Sequence, residues 1–170
     1  MIYACKIDTP LGAMTAAEKD EVLIGLWFIG QRYYPRETAG WVCDPGRPIF
    51  SLLRDYLALY FSGKGAAPDL PLAPSGTPFQ RTVWDLLLRV PRGKITTYGE
   101  IARNIARSRR LASMSAQAVG SAVGHNPISI LIPCHRVVGS DGSLTGYAGG
   151  LHRKAELLRI EKAAGYGPIA

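Results

Sequence analysis

The sequence predicts two units in tandem. The first is an α/β N-terminal domain, a small antiparallel sheet plus a helix. The second is mostly helical, with a helix-turn-helix and one short strand carrying the candidate reactive residues. Three observations predict this. Short β-rich runs between turn residues fill the first part of the chain, and a proline-punctuated stretch without periodicity follows. Helix-spaced segments with polar caps then precede an apolar run that ends in Pro133-Cys134-His135. The boundaries read as residues 1–62, a linker at 63–77 and a second domain at 78–170.

In the first unit, residues 2–7, a segment near 14–17 and residues 22–29 read as strands, with turns at Pro10-Leu11-Gly12 and Lys19-Asp20. Residues 31–47 read as a loop rich in Pro, Gly and aromatics. From Pro48 to Phe61, Ile49, Leu52, Leu53, Tyr56, Leu57, Leu59 and Tyr60 recur at close to helical spacing, and Gly63 lies just beyond. Pro68, Pro71 and Pro74 mark the linker.

In the second unit, Thr77 can cap a helix over residues 79–89 with Pro78 at its first position. Its Phe79, Val83, Trp84 and Leu87 read as core. Thr97 can cap a helix to about residue 106 that begins at Tyr98. Ser113 or Ser115 can cap a third helix to about residue 124. Two short helices joined by a polar segment suggest a helix-turn-helix. The third helix carries Ala116, Ala118, Gly120, Ser121, Ala122 and Gly124. A major-groove reader would carry Arg, Asn or Gln for base edges. This smooth surface suits either close helix packing or close approach to a narrow minor groove. Arg103, Arg107, Arg109 and Arg110 read as a solvated face that can also meet phosphates.

Residues 128–132 read as a buried strand that Pro133 stops, since it has no N–H for a ladder. Cys134 would then sit at the end of a rigid element with His135 beside it. A thiolate is a soft nucleophile, and a nearby base raises its population.

The bulk composition bounds the function. A net charge of +7 favours a polyanionic partner. Cysteines at positions 5, 43 and 134 form no paired framework, which predicts a reducing compartment. No apolar run reaches membrane-spanning length, and the first residues lack a signal peptide's apolar core, so a cytoplasmic protein (nuclear in a eukaryote) is expected. Cys5 and Cys43 have no histidine in their unit, so no metal site is expected there. Neither a P-loop nor a dinucleotide fingerprint occurs, and no cofactor is expected.

Pro133-Cys134-His135-Arg136-Val137-Val138 resembles the active-site signature of the O6-alkylguanine-DNA alkyltransferases. Blocks beginning at Thr77, Gly93, Gly124 and Thr145 follow the same family pattern in order, covering about residues 77–161. The resemblance implies a single-use DNA repair protein. It would flip O6-alkylguanine out of duplex DNA and move the alkyl group irreversibly to Cys134, with no cofactor. It also implies a Cys134–water–His135–Glu161 relay. The Tyr98 hydroxyl would donate to guanine N3, and the carbonyls of Cys134 and Val137 would accept from the exocyclic amine. Backbone N–H groups near Tyr147 and Ala148 would face O6, with Asn126 as a brace. Gln117, Ala118, Ser121, Ala122, Arg136 and Lys154 would contact DNA. The expected partner is double-stranded DNA bearing O6-alkylguanine, with O4-alkylthymine a further candidate, engaged by a single chain.

The sequence departs from the family at Gln117, where relatives usually carry an arginine that fills the gap left by the extruded base. The segment at residues 107–115 is also longer than usual. A non-catalytic sensor of alkyl damage is the alternative reading, and the intact Cys134 counts against it. A cysteine hydrolase or a helix-turn-helix regulator has less support.

Overall fold

The computed structural model describes residues 1–65 and 67–170; Ala66, within the segment read as a linker, lies outside the described residues. The chain divides into two compact units. One comprises Met1–Ser75 with Pro127–Leu131, the other Gly76–Asn126 with Ile132–Ala170.

In the first unit β1 (Tyr3–Ile7), β2 (Met14–Lys19) and β3 (Val22–Phe28) form an antiparallel meander. The β2–β3 turn places Asp20 and Glu21 at φ 53° and 64°, the positive pair that a two-residue hairpin turn needs to match strand twist. The sheet is mixed, not purely antiparallel. Within the region read as a loop, β4 (Val42–Cys43) pairs parallel to β1 in the order β3-β2-β1-β4. Two residues carry too little periodicity to be seen in the sequence.

Helix α1 (Pro48–Phe61) buries Ile49, Phe50, Leu53, Leu57 and Tyr60 and leaves Leu52 and Leu59 in solvent. It ends where Gly63 adopts φ 82°. There the Lys64 N–H donates to Leu59 O and the Gly63 N–H to Tyr60 O, which satisfies the last-turn carbonyls.

The 127–131 segment joins this unit through β3. Leu26 N–H donates to Pro127 O at 2.8 Å, and Ser129 N–H donates to Leu26 O at 2.9 Å. The expected strand over residues 128–132 is not formed. Past the single bridge at Ile128 the chain turns, with Ile130 in the left-handed region at φ 70°. Burial of Ile128, Ile130, Leu131 and Ile132 explains the apolar run equally well without a ladder.

In the second unit α2 (Pro78–Leu87), α3 (Tyr98–Ser108) and α4 (Ala116–Gly124) each start at a hydroxyl cap, Thr77, Thr97 and Ser115. The first two caps are capping boxes closed by Gln80 and Glu100. Helix α4 packs on α2 and α3 through Val119, Ala122 and Val123. The Trp84 indole N–H donates to Ala122 O at 2.9 Å. Val83, Trp84 and Leu87 are core, whereas Phe79 is half-buried under the Arg109 guanidinium.

A short ladder follows, β5 (Thr96–Thr97) parallel to β6 (Val137–Val138), and then α5 (Leu151–Ile160). Val138, Leu144 and Leu158 form the core beneath them. Among the described residues no helix is long and apolar enough to cross a membrane.

Candidate active site

Cys134, His135 and Arg136 form a single 3-10 turn immediately before β6, and all three are buried. Cys134 and His135 thus sit on a turn that leads into a strand, not at the end of one. The turn is braced at Ile132 O, which accepts both Cys134 N–H and Asn126 Nδ2 at 2.8 Å. The Val137 N–H donates to Cys134 O, leaving that carbonyl one further lone pair. Pairing of Thr97 with Val138 sets Tyr98, the first residue of α3, beside this turn in the ladder.

Glu161, the C-cap of α5, closes the site from the other side. Its Oε1 accepts His135 Nε2 at 2.7 Å and Arg136 Nη2 at 2.9 Å, and its Oε2 accepts Arg136 Nε at 2.9 Å. Burial alone would raise this carboxyl, but the hydrogen bonds from His135 and Arg136 hold it well below the usual carboxylate range. An ionised carboxylate only accepts, so Nε2 of His135 carries the proton. Burial pushes the imidazole below its ordinary value against the pull of Glu161, so the ring is neutral. Its Nδ1 then presents a lone pair and has no hydrogen-bond partner among the described residues.

Burial pushes the Cys134 thiol up, while the Asn126 side chain and the Lys154 charge pull the other way. At rest the sulfur holds its proton, and His135 Nδ1 is the chemically suitable acceptor. Burial likewise raises the Tyr98 phenol, so it stays a donor; its hydroxyl gives its proton to Thr145 O at 2.8 Å. The loop after β6 reaches Tyr98 at Gly146, whose φ of 62° favours glycine.

Residues 2–74 match the family model described as 6-O-methylguanine DNA methyltransferase, ribonuclease-like domain. Residues 78–163 match that family's DNA binding domain. The chain belongs to the 6-O-methylguanine DNA methyltransferase family.

Its relatives include the methylated-DNA–protein-cysteine methyltransferase of Mycobacterium bovis, 46% identical over 163 residues, covering 96% of this chain and 94% of that one. The protein of the same name from Methanosarcina barkeri is 42% identical, covering 95% and 98%. Among solved structures, Mycobacterium tuberculosis OGT in complex with DNA is similar at TM-score 0.84 and 43% identity, covering 94% of this chain and 92% of that one.

In this methyltransferase-family chain three of the residues expected to meet DNA are buried. Arg136 is buried, with its guanidinium forked on Glu161 and its Nη1 donating to Val90 O at 2.6 Å. Lys154 is fully buried and donates to Thr145 O and Gly146 O. Ala122 is only 2% exposed because α4 packs through it. Gln117, Ala118 and Ser121 do lie together on the exposed side of α4. Arg103, Arg107, Arg109 and Arg110 are exposed, with Arg109 tied to Thr82. Val137 is buried in β6, and Tyr147 and Ala148 are half-buried in the loop before α5.

Reasoning from sequence missed the Arg136–Glu161 fork and the use of Thr145 as an acceptor. Neither leaves a spacing signal, because each partner is set by a fold-level contact. Among the described residues no cluster of His, Cys, Asp and Glu could hold a metal.

Proposed function

We propose that this chain repairs O6-alkylguanine in duplex DNA by moving the alkyl group to its own Cys134, once per molecule. The Cys134 proton passes to His135 Nδ1, through a bridging water. Sulfur then attacks the alkyl carbon, the S–C bond forms and the C–O6 bond breaks. The electron pair leaves with guanine, and donation from Tyr98 to N3 stabilises that anion. The product is a thioether, and the proposed reaction uses no cofactor.

The observation that carries this reading is the orientation of His135. Its Nε2 is committed to an ionised Glu161, which leaves Nδ1 as the acceptor on the turn that holds Cys134. Asn126 braces that turn. The exposed side of α4, with Gln117, Ala118 and Ser121, would lie against the minor groove, and exposed arginines of α3 and the loop after it would meet phosphates. The partner is double-stranded DNA with O6-alkylguanine, and we place the work in the cytoplasm.

The test is to mix the protein with a slight excess of a duplex carrying one O6-methylguanine and weigh the intact chain. A single methyl-for-hydrogen gain on the peptide bearing Cys134, absent in Cys134→Ser, is expected. Unchanged mass with preferential binding of the damaged duplex would instead assign a sensor.

A further inference from the structure

Lys154 is completely buried, yet its ammonium meets no carboxylate among the described residues. It donates instead to Thr145 O at 3.0 Å and to Gly146 O at 3.1 Å. The Tyr98 hydroxyl donates to the same Thr145 O at 2.8 Å, and the Lys154 Nζ lies 5.9 Å from the centre of the Tyr98 ring. One carbonyl therefore holds two donors, the most its two lone pairs accept. A buried lysine without a counter-charge is costly to keep, so its place calls for a reason.

Tyrosine has a single hydroxyl proton and cannot donate to Thr145 O and to a purine at once. In the resting protein that proton is given to the loop. To reach substrate the hydroxyl must leave Thr145 O, and a half-buried carbonyl stripped of all donors carries a penalty in proportion to its burial. We propose that Lys154 is a positioning residue that keeps the Thr145 carbonyl satisfied while the Tyr98 hydroxyl transfers its hydrogen bond to the flipped purine. This rests on the reading of Tyr98 given above. Lys154 also holds Gly146, so the loop keeps its place as the exchange occurs. Its charge favours the Cys134 thiolate as well, but that effect is independent of Tyr98, and this separates the two roles.

The experiment is a double-mutant cycle on single-turnover methyl transfer from the O6-methylguanine duplex, using the full chain. Tyr98→Phe alone slows transfer. Lys154→Met slows it about tenfold or more when Tyr98 is present, since the hydroxyl then stays on Thr145 O. In the Tyr98→Phe background there is no hydroxyl to release and the carbonyl is equally deprived before and during reaction. There Lys154→Met slows transfer only by what its charge contributes to the Cys134 thiolate, at least about fivefold less than with Tyr98 present. Lys154→Gln, whose amide still donates but carries no charge, slows transfer only by that same charge share, equally in either background. If Lys154→Met does not fold, Lys154→Gln carries the test in both backgrounds.

Equal slowing by Lys154→Met in both backgrounds would mean that charge alone matters and would overturn the inference. So would a Lys154→Gln protein no faster with Tyr98 intact than in the Tyr98→Phe background. Transfer undiminished in Tyr98→Phe would overturn it together with the role of Tyr98, while leaving alkyl transfer to Cys134 standing. A wild-type protein that takes up no methyl group would overturn that reading and this one together.

Discussion

His135 and Glu161 are joined by a 2.7 Å hydrogen bond from Nε2 to Oε1, with both side chains withdrawn from solvent. The bond spans two structural elements, since His135 lies on the turn before β6 and Glu161 caps the end of α5. It selects the tautomer in which Nδ1 is basic. The same carboxylate binds Arg136, so the group that orients the His135 imidazole also neutralises a buried guanidinium.

Arg136→Lys tests whether that arginine serves Glu161 or DNA. An ammonium cannot reproduce the two-pronged bond. Stability to urea should fall by about 3 kcal/mol, because a buried carboxylate loses much of its compensation. The salt dependence of duplex binding should stay as in the wild type. Unchanged stability with a shallower salt slope would return Arg136 to the phosphate backbone.

The pH dependence of stability follows from Glu161. Its carboxyl is held below the unfolded value of 4.5, so the folded state favours the carboxylate. That contribution is fully present above about pH 4.5 and is lost as pH falls further. In Glu161→Gln it is missing. The stability gap between wild type and Glu161→Gln should therefore be widest above that pH and should narrow below it. A gap independent of pH in urea titrations would contradict the ion pair.

Asn126→Ala removes one of the two bonds that meet at Ile132 O, the other coming from the Cys134 N–H. Losing a buried hydrogen bond costs about 2 kcal/mol. The turn bearing the thiol should also loosen, so methyl transfer should slow along with the drop in unfolding midpoint. A variant that unfolds at the wild-type midpoint would show that the brace is not needed.

Gln117→Arg places a cation on the exposed side of α4, at its N-terminal end. It should tighten duplex binding and steepen its salt dependence by about one phosphate contact. Methyl transfer at limiting protein should quicken as well. Binding no tighter than wild type would show that the uncharged side chain is not what limits this interface.

Much of the architecture is legible along the chain because its causes are local. Thr77, Thr97 and Ser115 announce helix starts, since a hydroxyl before a periodic run satisfies orphan N–H groups. Gly63 announces a helix end for a similar reason. The run at residues 128–132 misled, because burial of an apolar segment has one pattern whether its backbone pairs with a strand or turns away.

By itself the sequence determined the helices and the meander, and it pointed to Cys134 and His135 and, through the resemblance, to Glu161. Only the tertiary structure decided that Arg136 and Lys154 point inward and that Ala122 is packed away. It alone showed that Thr145 O is shared between Tyr98 and Lys154. The physical reason is desolvation. A basic side chain is soluble by default, and its charge is kept inside only where acceptors from distant parts of the chain converge, which no spacing of letters records.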